Sequence, residues 1–422
     1  MPASTNSPNA LILCLGGVGQ WLVGACGAAT ARTGNLDALA AGGHLWMNCF
    51  VDALDRRQQW SGLWTGRHAL QPPNDAAASQ GSSLWQRLSA AGVSHCLITD
   101  DADVAGLAEQ LGCREAIFVE SPVAGDEPAD DVAQCACMGV FLAAAELIQQ
   151  RRHRAVYVHS RGLHSPWDAP MELRMAMTDP DDPPPPTGTL PPGEVVDYQP
   201  RWSGNLHGAS GMDPDVIIGW NQVAAAQVQV LDRGVGLLRA AVEETGDPNW
   251  AWLIHSLGQI PLGEHGQLGS PLEWPYSEHL RALAILRPAT ALPCPRFHLG
   301  VCQLPSAGEW LLGQLGLPSP AGLAGQPAAS SPVDGWLAAI HDTACGNEFI
   351  WARTPAWSLR STPAGTELYA QPDDRWEVCN VADLQPQVVE AMQQAVSRFQ
   401  QCLAGSVPQG DSPPEVLMNT MR

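Results

Sequence analysis

The run Asn9-Ala10-Leu11-Ile12-Leu13-Cys14-Leu15, entered from Pro8 and cut off by Gly16-Gly17, constrains this chain more than any other stretch. Its apolar residues follow one another without alternation, which predicts a strand buried on both faces. Such strands belong to parallel sheets covered by helices on either side. In open sheets of that kind, ligands gather beyond the carboxyl ends of the strands. Residues 16 and 17 therefore hold a site position, and they carry no side chain.

Strand-like and helix-like segments alternate from there on. Residues 44–51, 94–99, 116–120, 154–160 and 249–255 read as strands. Residues 35–42, 56–67, 82–91, 104–111, 129–151 and the long run 213–246, opened by Asp213-Pro214, read as helices. The alternation predicts an α/β fold, a doubly wound and mostly parallel sheet with helices on both faces. Residues 276–287 read as a further strand region and 305–317 as a helix. From about Asp334 the character changes to short strands at 348–353, 357–360 and 367–370, followed by an amphipathic helix over 387–403. The expected organisation is a large domain over residues 1–333, interrupted by a Pro-rich excursion at 179–200, a small α+β subdomain over 334–405, and a loose tail over 406–422.

Charge narrows the possible partners. The chain carries a net charge of −21, and all 22 of its basic residues are arginine. A strongly acidic surface repels nucleic acid and anionic membranes, so neither is expected as a partner. Without lysine there is no Schiff-base chemistry. The 12 cysteines form no Cys-x-x-Cys pair, and Cys135-Ala136-Cys137 is too close for a zinc knuckle. Residues 1–8 hold no basic residue, and the apolar run after them breaks at Gly16, Gly17 and Gln20, which fits neither a secretory leader nor a membrane span. A reducing compartment, the cytoplasm, is the expected location.

Several segments resemble the sulfatase family of the alkaline phosphatase superfamily, in the family's order. They are Pro8-Asn9 and the strand after it, Asn35-Leu36-Asp37-Ala38-Leu39-Ala40-Ala41, Leu63-Trp64-Thr65-Gly66-Arg67, His164-Ser165-Pro166-Trp167, Leu231-Asp232-Arg233 within 227–236, Leu262-Gly263-Glu264-His265-Gly266, and the runs Arg353-Thr354-Pro355-Ala356-Trp357 and Asp373-Asp374-Arg375-Trp376-Glu377. The resemblance spans residues 8 to 400 and implies an alkaline-phosphatase-like fold. It also implies hydrolysis of sulfate esters by a formylglycine made from Cys or Ser, with calcium held by carboxylates and an amide.

Those chemical positions are altered here. The family's metal ligands fall on Gly16, Gly17, Ser256 and Leu257, none of which is a carboxylate, and a hard divalent cation needs about six oxygen ligands. The nucleophile falls on Arg56 and the motif's arginine on Trp60. A guanidinium stays protonated and cannot attack sulfur or phosphorus. Thr99-Asp100-Asp101-Ala102 stands where the family has Gly-Lys-Trp-His, and of the His-x-Pro run His164 is kept while its lysine falls on Gly162. The implied calcium and formylglycine are accordingly expected to be absent, and the chain is expected to have lost metal-dependent hydrolysis.

Two roles for the altered cleft stay open. Gly16, Gly17, Arg56, Arg161, His164 and His255 form a candidate metal-free site for a sulfate- or phosphate-bearing ligand, with backbone N–H groups at 16 and 17 offered to the anion. Alternatively Trp60 and its neighbours fill the cleft and leave a scaffolding protein. A rival reading is an active sulfuric or phosphoric ester hydrolase with relocated residues, such as Cys49 or Asp55. Gly17-Val18-Gly19 makes a poor dinucleotide turn, because its third glycine position falls on Leu22. His265, beside Glu264, is expected to hold a loop in place.

Overall fold

The computed structural model of the chain describes residues 8–71, 83–121, 126–189, 214–266, 268–269, 274–306, 313, 335–343, 348–404 and 413–419. Its centre is the predicted apolar strand, β1 (Asn9–Leu15), buried from Ala10 onward. The other strands of the main sheet are β2 (His44–Phe50), β3 (His95–Thr99), β4 (Ala116–Phe118), β5 (Ala155–Ser160), β6 (Trp250–His255), β7 (Ala284–Arg287) and β8 (Arg296–Gln303). Their order is β4-β3-β5-β1-β6-β7-β2-β8, parallel except for β7, which runs antiparallel to both β6 and β2.

Period-two alternation divides β1 between two cores. Leu11, Leu13 and Leu15 enter one, with α1 (Gly34–Ala41), α5 (Met138–Gln149) and α7 (Pro214–Glu244). Ala10, Ile12 and Cys14 enter the other, with α2 (Arg56–Thr65), α3 (Leu84–Ala90) and α4 (Ala102–Gln110). A strand with helices on both faces has no polar face to offer, which explains its unbroken apolar run. The short helix α6 (Met171–Met175) adds Leu173 to the first core, and α8 (Ser277–Leu280) adds Leu280 to the second.

The second sheet, in the order β12-β11-β10-β9, is antiparallel: β9 (Ala338–Asp342), β10 (Phe349–Arg353), β11 (Trp357–Thr362) and β12 (Gly365–Ala370). One face sends Ala338, Ile340, Phe349 and Trp351 into the main core. The other packs Ala339, Ala352 and Leu359 against Val388, Met392 and Val396 of α9 (Pro386–Leu403).

Three sequence expectations are corrected. Residues 276–287 form the turn α8 before the strand β7 rather than one strand region. The helix expected over 129–151 begins only at Met138, because Asp168 ties down the segment before it: Ala129 donates its N–H to the Asp168 carbonyl at 2.8 Å and Ala136 donates to Asp168 Oδ2 at 2.7 Å. In the tail, α10 (Glu415–Met418) is anchored rather than loose, with Leu417 buried and the Val416 carbonyl accepting the Trp357 indole N–H at 2.8 Å. The strands β8 and β9 were not anticipated. Of the helix expected at 305–317, Pro305, Ser306 and Gly313 are helical and the rest lies outside the described residues, as do 190–200 of the Pro-rich excursion and Asp213.

Two helices on the first core, α1 and α7, are locked by one carboxylate. Helix α1 has no side-chain N-cap of its own. Asp232 of α7 supplies it instead, accepting the backbone N–H of Asn35 at 3.0 Å and of Leu36 at 2.8 Å, and the Asn35 amide at 3.0 Å. Asp232→Ala leaves those donors unmet in the interior. It should cost roughly 2–3 kcal/mol in urea unfolding; a cost under about 0.5 kcal/mol would show that α1 is held by packing alone.

Candidate functional site

The strands β1, β3, β5 and β6 run in parallel and end at one edge, at Leu15, Thr99, Ser160 and His255. The exits of β1 and β5 are zipped together there. Gly16 donates its N–H to the Ser160 carbonyl at 2.9 Å, and Leu163 donates to the Gly16 carbonyl at 2.8 Å. A Cβ at 16 would overlap the Arg161 carbonyl and stand 3.2 Å from His164 Cδ2. Gly162, at φ 58°, faces the Gly16 backbone just as tightly. Gly17, at φ 71°, has the His164 ring where its side chain would be, with Nε2 3.0 Å from a Cβ built there.

His164 is the centre of the rim. Asp55 caps α2, accepting the Gln58 N–H at 2.8 Å, and so presents Arg56, the first helical residue, across the exits. Arg56 Nη2 lies 2.6 Å from His164 Nε2. A guanidinium can only donate, so Nε2 is the acceptor and His164 is a neutral imidazole. Burial, and then the Arg56 and His159 charges, hold its pKa well below the usual histidine range. On the other side Arg161 donates its N–H to Asp100 Oδ1 at 2.8 Å, with its Nε 4.0 Å from Oδ2. Burial pushes the Asp100 carboxyl up to about 6, against the pull of Arg161.

Beneath the rim is an aromatic floor. Trp60 lies edge-on to His159, ring centres 4.9 Å apart, and to His255 and Tyr157, each at 6.1 Å. The Tyr157 hydroxyl shares a hydrogen bond with His255 Nε2 at 2.6 Å, and Thr99 Oγ1 is 2.8 Å from His159 Nδ1. Burial pushes His255 down to about 4 and His159 to about 3, the latter helped by His255 and the two arginines. Cys14, the one thiol here, is buried and held protonated by that burial, which leaves it unreactive.

The predicted site residues divide accordingly. Gly16, Gly17, Arg56, Arg161 and His164 come together at the rim, while Trp60 and His255 lie in the floor. Ser256 turns into the sheet, its Oγ accepting the Leu283 N–H at 2.8 Å, and Leu257 packs against the second core. The N–H of Gly16, expected to face an anion, is spent on Ser160. His265 holds its loop, as expected: its Nε2 is 2.8 Å from Glu278 Oε1 and its ring stacks on Tyr276 at 3.5 Å. Asp100 belongs to the run Thr99-Asp100-Asp101-Ala102 that the resemblance sets at the cleft, whereas sequence reading did not place Tyr157 and His159 there. The signal for Asp100 was its position directly after an apolar strand; Tyr157 and His159 looked like ordinary strand residues.

The four positions implied for calcium do not fit the ion. Two have no side chain and no room for one, one is apolar, and the hydroxyl of Ser256 is committed to the backbone. Among the described residues no group of three or more His, Cys, Asp or Glu is placed to hold a metal.

The buried histidines make the floor sensitive to acid. In the unfolded chain they protonate near 6.5, whereas in the fold they resist until about 4 or below, so stability is lost as the pH falls across that window. The variant His159→Gln/His255→Gln should lose less unfolding free energy than the parent between about pH 7 and pH 4.5. An equal loss in both would place the responsible groups elsewhere.

No protein-family model and no curated protein matches this sequence. Solved structures do. A candidate sulfatase of Bacteroides thetaiotaomicron superposes with a TM-score of 0.72 at 15% identity, covering 97% of this chain and 96% of that one. A 2-O GAG sulfatase gives 0.70 at 14% identity, with 97% and 96% covered. The phosphonate monoester hydrolase of Agrobacterium radiobacter gives 0.68 at 15% identity, with 95% and 96% covered. At such identities the likeness is one of fold: over nearly its whole length, this chain is built like these two sulfatases and this phosphonate monoester hydrolase.

Proposed function

We propose that this protein uses the sulfatase-type fold without its hydrolytic chemistry, and that its cleft rim holds a sulfate- or phosphate-type oxyanion without a metal. One observation carries the first half: the space in which carboxylates at 16 and 17 would stand is taken by the Arg161 carbonyl and the His164 ring. A cation brought there would meet a guanidinium and a neutral imidazole, which do not offset its desolvation. At the rim, Arg56 stands at the position implied for the nucleophile, Asp55 is engaged in capping α2, and Cys14 is a buried, protonated thiol.

The second half rests on charge. Arg56 is exposed and Arg161 half-buried, and both act electrostatically on His159 from above. Against them stand Asp101 and Asp100, and the Asp100 carboxylate neutralises part of the field until it takes up a proton near pH 6. We place the protein in the cytoplasm. All the cysteines among the described residues are free thiols, as a reducing compartment would keep them. Among those residues no helix is long and apolar enough to cross a membrane.

Isothermal titration with calcium up to about 5 mM should give no stoichiometric heat, and aryl sulfates and phosphates should not turn over. Sulfate, whose own charge is constant over the range, should bind more tightly as the pH is lowered from about 7.5 to about 5.5, and Arg56→Ala should abolish that binding. Stoichiometric calcium, or turnover lost in Arg56→Ala, would establish the relocated hydrolase instead. Sulfate binding without pH dependence would remove Asp100 from the site.

A further inference from the structure

The connection from β2 to α2 buries a carboxyl that the rim does not use. Asp52 is 1% exposed. Its Oδ2 accepts the Ala69 N–H at 2.9 Å. Its Oδ1 is buried with no hydrogen-bond partner, and neither oxygen forms an ion pair, among the described residues. A carboxylate in that position carries an uncompensated charge. A neutral acid does not: it keeps an acceptor for Ala69 and gains an O–H to donate.

The surroundings offer that O–H an acceptor. A Cβ built on Gly62 of α2 would stand 2.8 Å from Asp52 Oδ2, 3.3 Å from Oδ1 and 3.1 Å from the Arg67 carbonyl oxygen, so three acceptor oxygens converge on one spot beside the helix. Oxygens that can only accept repel one another unless a proton lies between them. The segment that brings Arg67 there leaves α2 through Gly66, at φ 70°, and runs toward the small subdomain. His68 meets Phe399 of α9 edge to face, ring centres 5.2 Å apart, and Leu70 packs on the core between the second sheet and α9. The His68 tautomer is fixed: Nδ1 accepts the Leu70 N–H at 3.1 Å, so Nε2 carries the proton and donates to Gln303 Oε1 at 2.9 Å.

We propose that Asp52 is a pH-operated latch: as a neutral acid it holds residues 67–70 closed on the main domain, and on losing its proton it lets that segment and its contact with α9 come away. Ionisation sets a charge against the Arg67 carbonyl, and the charged group regains hydration only if the segment opens. Burial pushes the carboxyl up to about 7, against the pull of the Ala69 N–H, so the change falls across neutrality. No charged side chain adds to that balance. Helix α2 faces the carboxyl with Gly62, and β8 brings the uncharged Gln303 to His68. The segment's own titratable groups are Arg67 and His68, and burial holds His68 neutral by pushing it down to about 4. The latch is independent of anion binding at the rim, and either can fail without the other.

Hydrogen–deuterium exchange on the full chain, corrected for intrinsic rates, reads the latch in peptides covering residues 63–71. Their protection should fall about tenfold or more between about pH 6 and about pH 8.5, while that of α5 stays constant. Asp52→Asn offers Ala69 an oxygen and the Arg67 carbonyl an N–H at every pH, so its protection should not change over that range. Urea unfolding gives a second reading. In the unfolded chain the carboxyl ionises near about 3.9, so between about pH 4.5 and about pH 6.5 the fold holds a proton there that the unfolded chain has lost. The folding constant of the parent relative to Asp52→Asn should therefore fall about tenfold per pH unit as the pH rises through that window, and level off above about pH 7. The proposal is overturned if protection of residues 63–71 in the parent, a measurement that needs no variant, is the same at both pH values. It is overturned equally if the loss persists in Asp52→Asn, or if it disappears in His68→Gln and not in Asp52→Asn.

Discussion

The contact on which the cleft depends is backbone against backbone: the exit of β1 at Gly16 lies on the exit of β5 at Arg161-Gly162, fixed by hydrogen bonds in both directions. Only residues without Cβ atoms can approach so closely. Once the two exits are closed on one another, the His164 ring drops over Gly17, and the edge of the sheet that would hold a ligand in an open fold becomes a packed surface. Every other property of the rim follows from that closure.

Its electrostatic consequence is a site organised around a neutral imidazole. Arg56 donates to His164 and so fixes the tautomer, while burial keeps His159 and His255 uncharged below it. The floor therefore contributes rings and dipoles rather than charge, and the field above it comes from two guanidiniums set against the carboxylates of Asp100 and Asp101. On the proposed reading, an oxyanion is held there by the two guanidiniums once Asp100 is protonated. The fold shared with hydrolases carries no chemistry by itself, because chemistry resides in the groups placed on the scaffold.

Much of this was legible in the residues. An unbroken apolar run can only be a doubly covered strand, so β1, β5 and β6 and their parallel arrangement were readable, as was the replacement of any side chain at 16 and 17. The edge strand β8 was not, because Arg296, Phe297 and Leu299 are exposed and mix polar and apolar residues without a buried face. Nor was the start of α5, where a tertiary partner, Asp168, outcompetes local helix propensity. In the site, Arg56 and His164 meet at the rim, and Asp100 lies in a run that the resemblance had already marked, yet Tyr157 and His159 depend on which strands are neighbours. The order β3-β5-β1 brings them to the cleft, and nothing local in the sequence records that order.

The most direct measurement of the central claim is the stability of Gly16→Ala. Alanine adds one methyl group, and in an open cleft with room for a carboxylate it would be tolerated at no cost. Closed exits leave nowhere for that methyl to go except into the Arg161 carbonyl, so the substitution should cost roughly 3 kcal/mol in equilibrium unfolding and should disrupt the paired hydrogen bonds to Ser160 and Leu163. A Gly16→Ala protein as stable as the parent would mean that the exits stand apart and that the cleft is open.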